Sequence, residues 1–445
     1  MSVLGSGGSG SGDMAPSFVI SINNNKIDDN ITRLIQSVEY DSADNIADMM
    51  KLQVSNPNSV ISDQKLFQPG NIIKLWIGFG DLEYIGAAII EKTRPYFPSD
   101  GMRTIEVVAY SADRLLMRNA PDSSDELKPF LSEKEAQKKK EREHKKKVRG
   151  APAFKGKSWG EDTFYSDVVA DKAEEYSFGV DVDETPNNII GPAGIIQKVG
   201  MTDYTFVAGI ANELIWLFWV DMEEDETYWT LHLKDPDFIS EIQDRKYTFR
   251  YDSITDGESE VGKWSGSSAT TLLSFEGEQL MGEGPTNLSV QVKNYKTGNL
   301  ETFGIVGDPA ESSMEFTGIV DDSIEQPPGD SSEVSLSFGN VAVKVIADRQ
   351  FQTAAHVKEW AEKWYQEHHR DYFSGGGTVR GPGVETLRAM QVHGMEGLGV
   401  MWSGDYYFTN VNHKVSSQDG YEVRWSGRKV VKTSSSEFTV GISNL

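Results

Sequence analysis

Between residues 17 and 118, hydrophobic and polar side chains alternate with a period of two, which is the signature of strands that bury one face. "SFVISI" sets Phe18, Ile20 and Ile22 on one side, and "MKLQV" does the same with Met50, Leu52 and Val54. The device recurs in "IIKLWIG" with Ile73, Leu75 and Ile77, in "YIGAAII" with Ile85, Ala87 and Ile89, and in "TIEVVAY" with Ile105, Val107 and Ala109. Turn-forming stretches separate the runs: "NNNK", "NPNS", "QPGN", "GFGD" and "FPSDG". Five or more short strands at this spacing predict an antiparallel barrel or sandwich over 17–118.

Residues 119–160 break the pattern and read as a charged insertion, partly helical. Over 161–245 the period moves toward 3.6. "TFYSDVVADKAEEY" aligns Tyr165, Val168, Val169 and Ala173 on one helical face behind Thr163 as N-cap. "TDYTFVAGIANEL" aligns Phe206, Val207, Ile210 and Leu214 behind Thr202 or Asp203. A hairpin follows, "IWLFWV" and "TYWTLHL", turned by the acidic "DMEEDE". Strand patterning returns over 246–435, interrupted by an acidic loop at 308–333 and one long helix at 353–373. That helix carries a stripe of Ala354, Val357, Trp360 or Ala361, Trp364 and Tyr372, which must bury against something. Core packing and a subunit interface both remain open for it, so Trp360 and Trp364 are interface candidates. Residues 1–16 read as a flexible arm and 436–445 as a C-terminal tail. The expected class is β-rich α+β, with strand regions on either side of a helical subdomain.

Composition narrows the chemistry. At 445 residues the chain is long enough for about three domains. It has no cysteine, which removes disulfides, thiolate nucleophiles and cysteine-held metals together. The net charge of -25 makes most of the surface repel nucleic acid, while residues 133–149 hold nine Lys or Arg against four Glu. That basic run has no interleaved aromatics for stacking on bases, so a solvated arm or a contact to an acidic partner is favoured over nucleic acid. The opening "MSVLGSGGSGSGD" lacks the apolar core of a signal peptide. "LIWLFWV" at 214–220 is far shorter than the roughly 18 residues of a spanning helix. A soluble chain made in the cytoplasm, without membrane insertion, is expected.

No catalytic, cofactor or metal site is expected. "GAPAFKGKS", from Gly150 to Ser158, has five residues between its glycines where a phosphate-binding loop needs four. His368 and His369 point about 100° apart on a helix, and Asp221 to Glu226 lack the glycine and spacing of a calcium loop. There is no G-x-S-x-G elbow. In "SGDYYFTNVNHKV", alternation puts Tyr407, Thr409, Val411, His413 and Val415 on a core face and Tyr406, Phe408, Asn410 and Asn412 on the other. His413 then reads as a hydrogen-bonded fixture of a hairpin. Tyr406 and Phe408, if they face solvent, are candidates for a subunit contact.

Three blocks together resemble the phage late control gene D family, the baseplate hub proteins of contractile tails, whose fold also forms the N-terminal part of type VI secretion spike proteins. The first, residues 67–116, begins "FQPGNIIKLWIGFGDLEYIGAAII" and has the order of turns and strands of the family's first barrel. The second joins "TFYSDVVADKAEEYSFGVDVD" to "IIQKVGMTDYTFVAGIANEL", with Gln197, Asp203 and Phe206 where the family has Gln, Asp and Phe. The third, "WSGDYYFTNVNHKVSSQDGYEVRWSGRK", is similar to its closing hairpin. The 119–160 insertion and the acidic stretch near 308–333 depart from the family pattern. The resemblance implies two tube-like antiparallel β-barrels with a helical or mixed subdomain between them. It also implies a homotrimer that joins a sixfold tail tube to a threefold central spike within a baseplate, with DNA only as passing cargo. The implied location is the virion tail or a related contractile injection particle. A hub with added peptidoglycan-degrading activity, or an unrelated β-rich carbohydrate-binding module, are the alternatives.

Overall fold

The computed structural model describes residues 16–44, 46–63, 65–79, 82–118, 157–159, 163–185, 195–235, 247–251, 269–279, 287–293, 300–306, 342–347, 373–380, 383–417, 420–430 and 441–442. The expected arm, most of the charged insertion, the acidic loop and the helix bearing Trp360 and Trp364 lie outside the described residues.

The alternating runs at the start of the chain form β1 (Ser17–Ile22), β2 (Asn25–Lys26), β3 (Ile35–Ala43), β4 (Met49–Ser55), β5 (Ile72–Gly78), β6 (Glu83–Tyr96) and β7 (Thr104–Tyr110). They pair antiparallel in the order β3-β4-β7-β6-β5-β1-β2. The inward residues are the predicted ones: Ile20, Met50, Leu52, Val54, Ile73, Leu75, Ile77, Ile105, Val107 and Ala109 are all buried. β6 departs from simple alternation, because both of its faces are covered over Ile85–Ala88. Ala88 and Ile90 pack into the main core, while Ala87 and Ile89 face the helical subdomain. Gly86 is required where the two meet: a Cβ there would come within 2.7 Å of Tyr40 Cζ.

The middle of the chain supplies β8 (Lys157–Ser158), β9 (Gly179–Val182), β10 (Ile196–Gln197), β11 (Leu217–Asp221), β12 (Thr230–Lys234) and two helices, Tyr165–Glu175 and Asp203–Leu214. β11 and β12 are the predicted hairpin, and β9 joins β12 in parallel. The helices bury the predicted stripes against this small sheet and against Trp159. Thr202 caps the second helix, its hydroxyl accepting from the Thr205 amide at 3.1 Å. The first helix starts one residue later than Thr163: Phe164 is its N-cap, and the Asp167 carboxylate reaches back to accept the Phe164 amide at 3.1 Å.

The last third adds β13 (Thr248–Arg250), β14 (Ala269–Gln279), β15 (Asn287–Lys293), β16 (Leu300–Val306), β17 (Ala342–Ala347), β18 (Phe373–Arg380), β19 (Val392–Glu396), β20 (Gly404–Ser416), β21 (Gly420–Lys429) and β22 (Gly441–Ile442). Strands pair in the order β19-β13-β14-β18-β21-β20, and β19 also pairs with β20, so these six close into a ring. β13 runs parallel to both its neighbours, a break in the otherwise antiparallel ring. β15, β16, β17 and β22 form a separate four-stranded sheet. β20 also pairs with β3 from Asn410↔Ala43 to Ser416↔Ser37, which merges the two strand regions into one sheet of 13 strands around one core.

The structure corrects the reading of β20. A register shift between Phe408 and Asn410 puts one extra residue into the strand. The inward face therefore passes from even to odd numbers along the strand: Tyr406 and Phe408 are inward before the bulge, and Val411, His413 and Val415 after it. Tyr406 and Phe408 are both 0% exposed, so neither faces solvent as a subunit contact would require. Phe408 stacks on Trp425 at 4.6 Å, and Tyr406 meets Trp425 edge-on at 5.5 Å.

Candidate functional site: a polar junction and two uncovered surfaces

A cavity of about 510 Å³ lies where the first strand region, the β11–β12 hairpin and the 384–391 loop meet, lined among others by Asp48, Tyr84, Asp113, Trp219 and Arg388. Most of its polar groups are engaged with one another, although Asp113 Oδ1 has no hydrogen-bond partner. Tyr40 donates its hydroxyl to Asp48 Oδ2 at 2.7 Å, and the Ala43 amide donates to Asp48 Oδ1 at 3.2 Å. Burial raises the Asp48 carboxyl to about 6 against those two hydrogen bonds. Asp113 is buried more deeply, with Ser111 Oγ 2.6 Å from its Oδ2, and burial lifts it to about 8. Arg388 spends its guanidinium on carbonyls: Nη2 donates to Tyr84 at 2.7 Å, and Nη1 to Leu387 at 2.6 Å and Glu385 at 2.9 Å. It thereby ties the 384–391 loop to the beginning of β6.

His413 sits beside this clamp, 0% exposed. A carbonyl can only accept, so His413 Nε2 carries the proton and donates to Leu387 O at 2.8 Å; Nδ1 then accepts from the Tyr421 hydroxyl at 2.8 Å. Burial, aided by the charge of Arg388, pushes its pKa down to about 3. The histidine is neutral and fixed across the β20–β21 hairpin, as the sequence suggested.

The residues matched to the family in the helical region also form a structural knot. Asp203 Oδ1 accepts from Lys172 Nζ at 2.8 Å and from Gln197 Nε2 at 2.7 Å, and its Oδ2 accepts from the Tyr176 hydroxyl at 2.5 Å. Phe206 stacks on Trp159 at 5.3 Å. These contacts bind the two helices to β10 and to each other.

The acidic "DMEEDE" turn is held by a lysine. Lys74 Nζ, on β5, donates to the carbonyls of Glu224 at 2.7 Å and Glu226 at 2.6 Å. Trp76 Nε1 donates to Glu224 Oε1 at 2.6 Å, and the Tyr84 hydroxyl to Met222 O at 2.6 Å. Among the described residues, no group of three His, Asp or Glu is arranged to hold a metal ion. On the hairpin, His232 lies flat on Trp219 at 4.6 Å and bridges Asp181 at 2.7 Å and Asp221 at 2.8 Å. Sequence reading missed this pair of bridges; the alternation of "LHLK" against "GVDV" places the partners, but only the parallel β9–β12 pairing brings them together.

Among the described residues, apolar side chains are left exposed at both ends of β6. At the β6–β7 tip, Tyr96, Phe97 and Met102 are 63%, 54% and 69% exposed. At the other end of β6, a shallow groove lined by Val19, Trp76, Leu82 and Asp225 opens beside the acidic turn. Among the described residues no helix is long and apolar enough to cross a membrane.

This arrangement is the fold of phage tail proteins. No family model matches the sequence, and no curated protein matches it either. Among solved structures, a tail protein from Neisseria meningitidis MC58 superposes with a TM-score of 0.57 at 13% identity, covering 93% of this chain and 98% of that one. The 43 kDa tail protein of prophage MuSo2 from Shewanella oneidensis gives 0.56 at 10% identity, over 93% and 98%. A Francisella PdpA-VgrG complex, in its lidded form, gives 0.50 at 9% identity over 97% of this chain and 56% of that one. The tail-protein fold expected from the three sequence blocks is thus present along nearly the whole chain.

Proposed function

We propose that this chain is a structural baseplate hub of a phage tail or a related contractile injection machine. It assembles as a homotrimeric ring that joins the sixfold tail tube to the threefold central spike. The observation that carries the reading is the likeness to two tail proteins over 93% of the chain and 98% of theirs, which makes the match one of whole architecture. The engaged state of the buried polar groups supports a scaffold: Asp48, Arg388, His413 and Asp203 are each bound to neighbours that fix strands, loops or helices. An acidic chain of net charge -25 also suits a lumen past which DNA slides without sticking. The partners on this reading are the tube protein, the spike protein and other baseplate components, and the place of assembly is the tail of the particle.

Electron microscopy of the purified chain mixed with the tube and spike proteins tests the proposal. Threefold rings with tube stacked on one side and spike on the other are the expected result. A chain that binds neither protein overturns it.

A further inference from the structure

Strand β6 carries an uncovered surface at each end, and the two are complementary. Its C-terminal end and the following turn expose Tyr96, Phe97 and Met102. Lys92, Arg94 and Arg103 flank them in sequence, Arg94 lying 3.5 Å from Glu106, and Asp100 is the one acid between residues 92 and 103. The Arg103 guanidinium lies 5.7 Å from the Phe97 ring centroid, so cation and ring form one tip. β5 pairing ends at Ile72↔Ile89, which leaves this end of β6 as an edge, but Pro95 has no N–H to offer. Strand addition is therefore disfavoured, and a contact through side chains is the better fit.

The opposite end of β6 begins beside Leu82, 38% exposed, in the groove lined by Val19 and Trp76. Its rim carries Glu224, Asp225 and Glu226 against Lys26, and the lysine beneath, Lys74, is already enclosed by the carbonyls of that turn. Fourteen residues of strand at about 3.3 Å each separate the two surfaces by roughly 45 Å, so they cannot meet within one chain.

We propose that the β6–β7 tip of one copy of this chain docks into the acidic-rimmed groove of a second copy, forming a head-to-tail contact. Unlike surfaces that meet in this way generate a closed ring when the rotation closes. The charges select the occupant: a basic, aromatic tip fits an acidic groove, and a second copy presents one. Covering three half-exposed apolar side chains supplies roughly 300 Å² of the ~800 Å² per partner that a stable contact buries. The inference rests on the trimeric reading above and names the surfaces that build it.

Charge exchange with sedimentation velocity as the readout tests it. Arg94→Glu with Arg103→Glu makes the tip acidic, and Glu224→Lys with Asp225→Lys makes the rim basic; all four positions are exposed, and because Arg94 also lies 3.5 Å from Glu106 and Glu224 accepts from Trp76, urea unfolding of each variant checks that it folds. Each pair alone is expected to weaken self-association by ~10-fold or more, and the variant carrying all four to recover most of it. The Tyr96→Ser, Phe97→Ser variant is expected to weaken association without recovery. A wild-type trimer with both charge pairs assembling normally overturns the surface assignment and leaves the trimer standing. Four exchanges that recover nothing beyond either pair overturn it in the same way. A wild-type chain that stays monomeric overturns both.

Discussion

Replacing Phe408 by alanine separates a core role from an interface role for the aromatic end of β20. The ring is 0% exposed, stacks on Trp425 at 4.6 Å, lies 4.8 Å from the His393 ring and 6.4 Å from Phe249, and sits in the six-stranded ring. A phenylalanine removed from such a site loses its transfer free energy and leaves a cavity, together about 3–5 kcal/mol. The surrounding rings are large and held from several sides, so little collapse is expected. With a urea slope of about 2–3 kcal/mol/M, the midpoint of the transition falls by about 1–2 M. Tryptophan fluorescence follows it directly, because Trp425 is the stacking partner. The experiment is run at two protein concentrations tenfold apart. A core loss is the same at both, whereas a lost contact of a trimer changes the difference between variant and wild type by about 0.9 kcal/mol per chain. A loss under about 1 kcal/mol, or one that depends on concentration, refutes burial of Phe408 within the chain.

Gly86→Ala forces its new methyl against the Tyr40 ring, whose Cζ would lie 2.7 Å away, and is expected to cost about 1–3 kcal/mol, visible in urea unfolding. Asp113 keeps its proton in the folded chain up to about pH 8, while the unfolded chain releases it from 3.8 upward; its contribution is complete below 3.8 and is lost as pH rises toward 8. Asp113→Asn, a neutral isostere, should therefore be close to neutral at pH 4 and stabilise by about 1–3 kcal/mol at pH 8, as read by unfolding at the two pH values. For His232, burial works to lower the pKa, but the hydrogen bonds and charges of Asp221 and Asp181 outweigh it and hold it above 6.5. The stabilisation this brings is complete below pH 6.5 and disappears as pH rises through the folded value, so His232→Gln should flatten that part of the stability profile, and an NMR titration of the imidazole should show the raised midpoint.

Much of the strand framework could be read in the sequence because half-buried strands leave a period of two, and β4 and β7 alternate strictly between a buried and a partly exposed face. β6 kept less of that signal because the helical subdomain covers its second face. The reading of Tyr406 and Phe408 failed for another reason. A bulge moves every residue before it to the other face, and its position depends on β21, where Gly427 lets the Tyr407 carbonyl approach. His413 was legible in part: Tyr421 lies across its own hairpin, but Leu387 comes from a distant loop. The junction cavity was not legible, since Tyr40, Asp113, Asp221 and Arg388 converge only through the β3–β20 pairing and the docking of the acidic turn on Lys74.

The most direct test of the central claim is the mass of the purified wild-type chain in solution, measured by multi-angle light scattering across a wide concentration range. A homotrimeric hub predicts a plateau at three times the chain mass. A mass that stays at one chain at every concentration, with tube and spike proteins present or absent, contradicts the account.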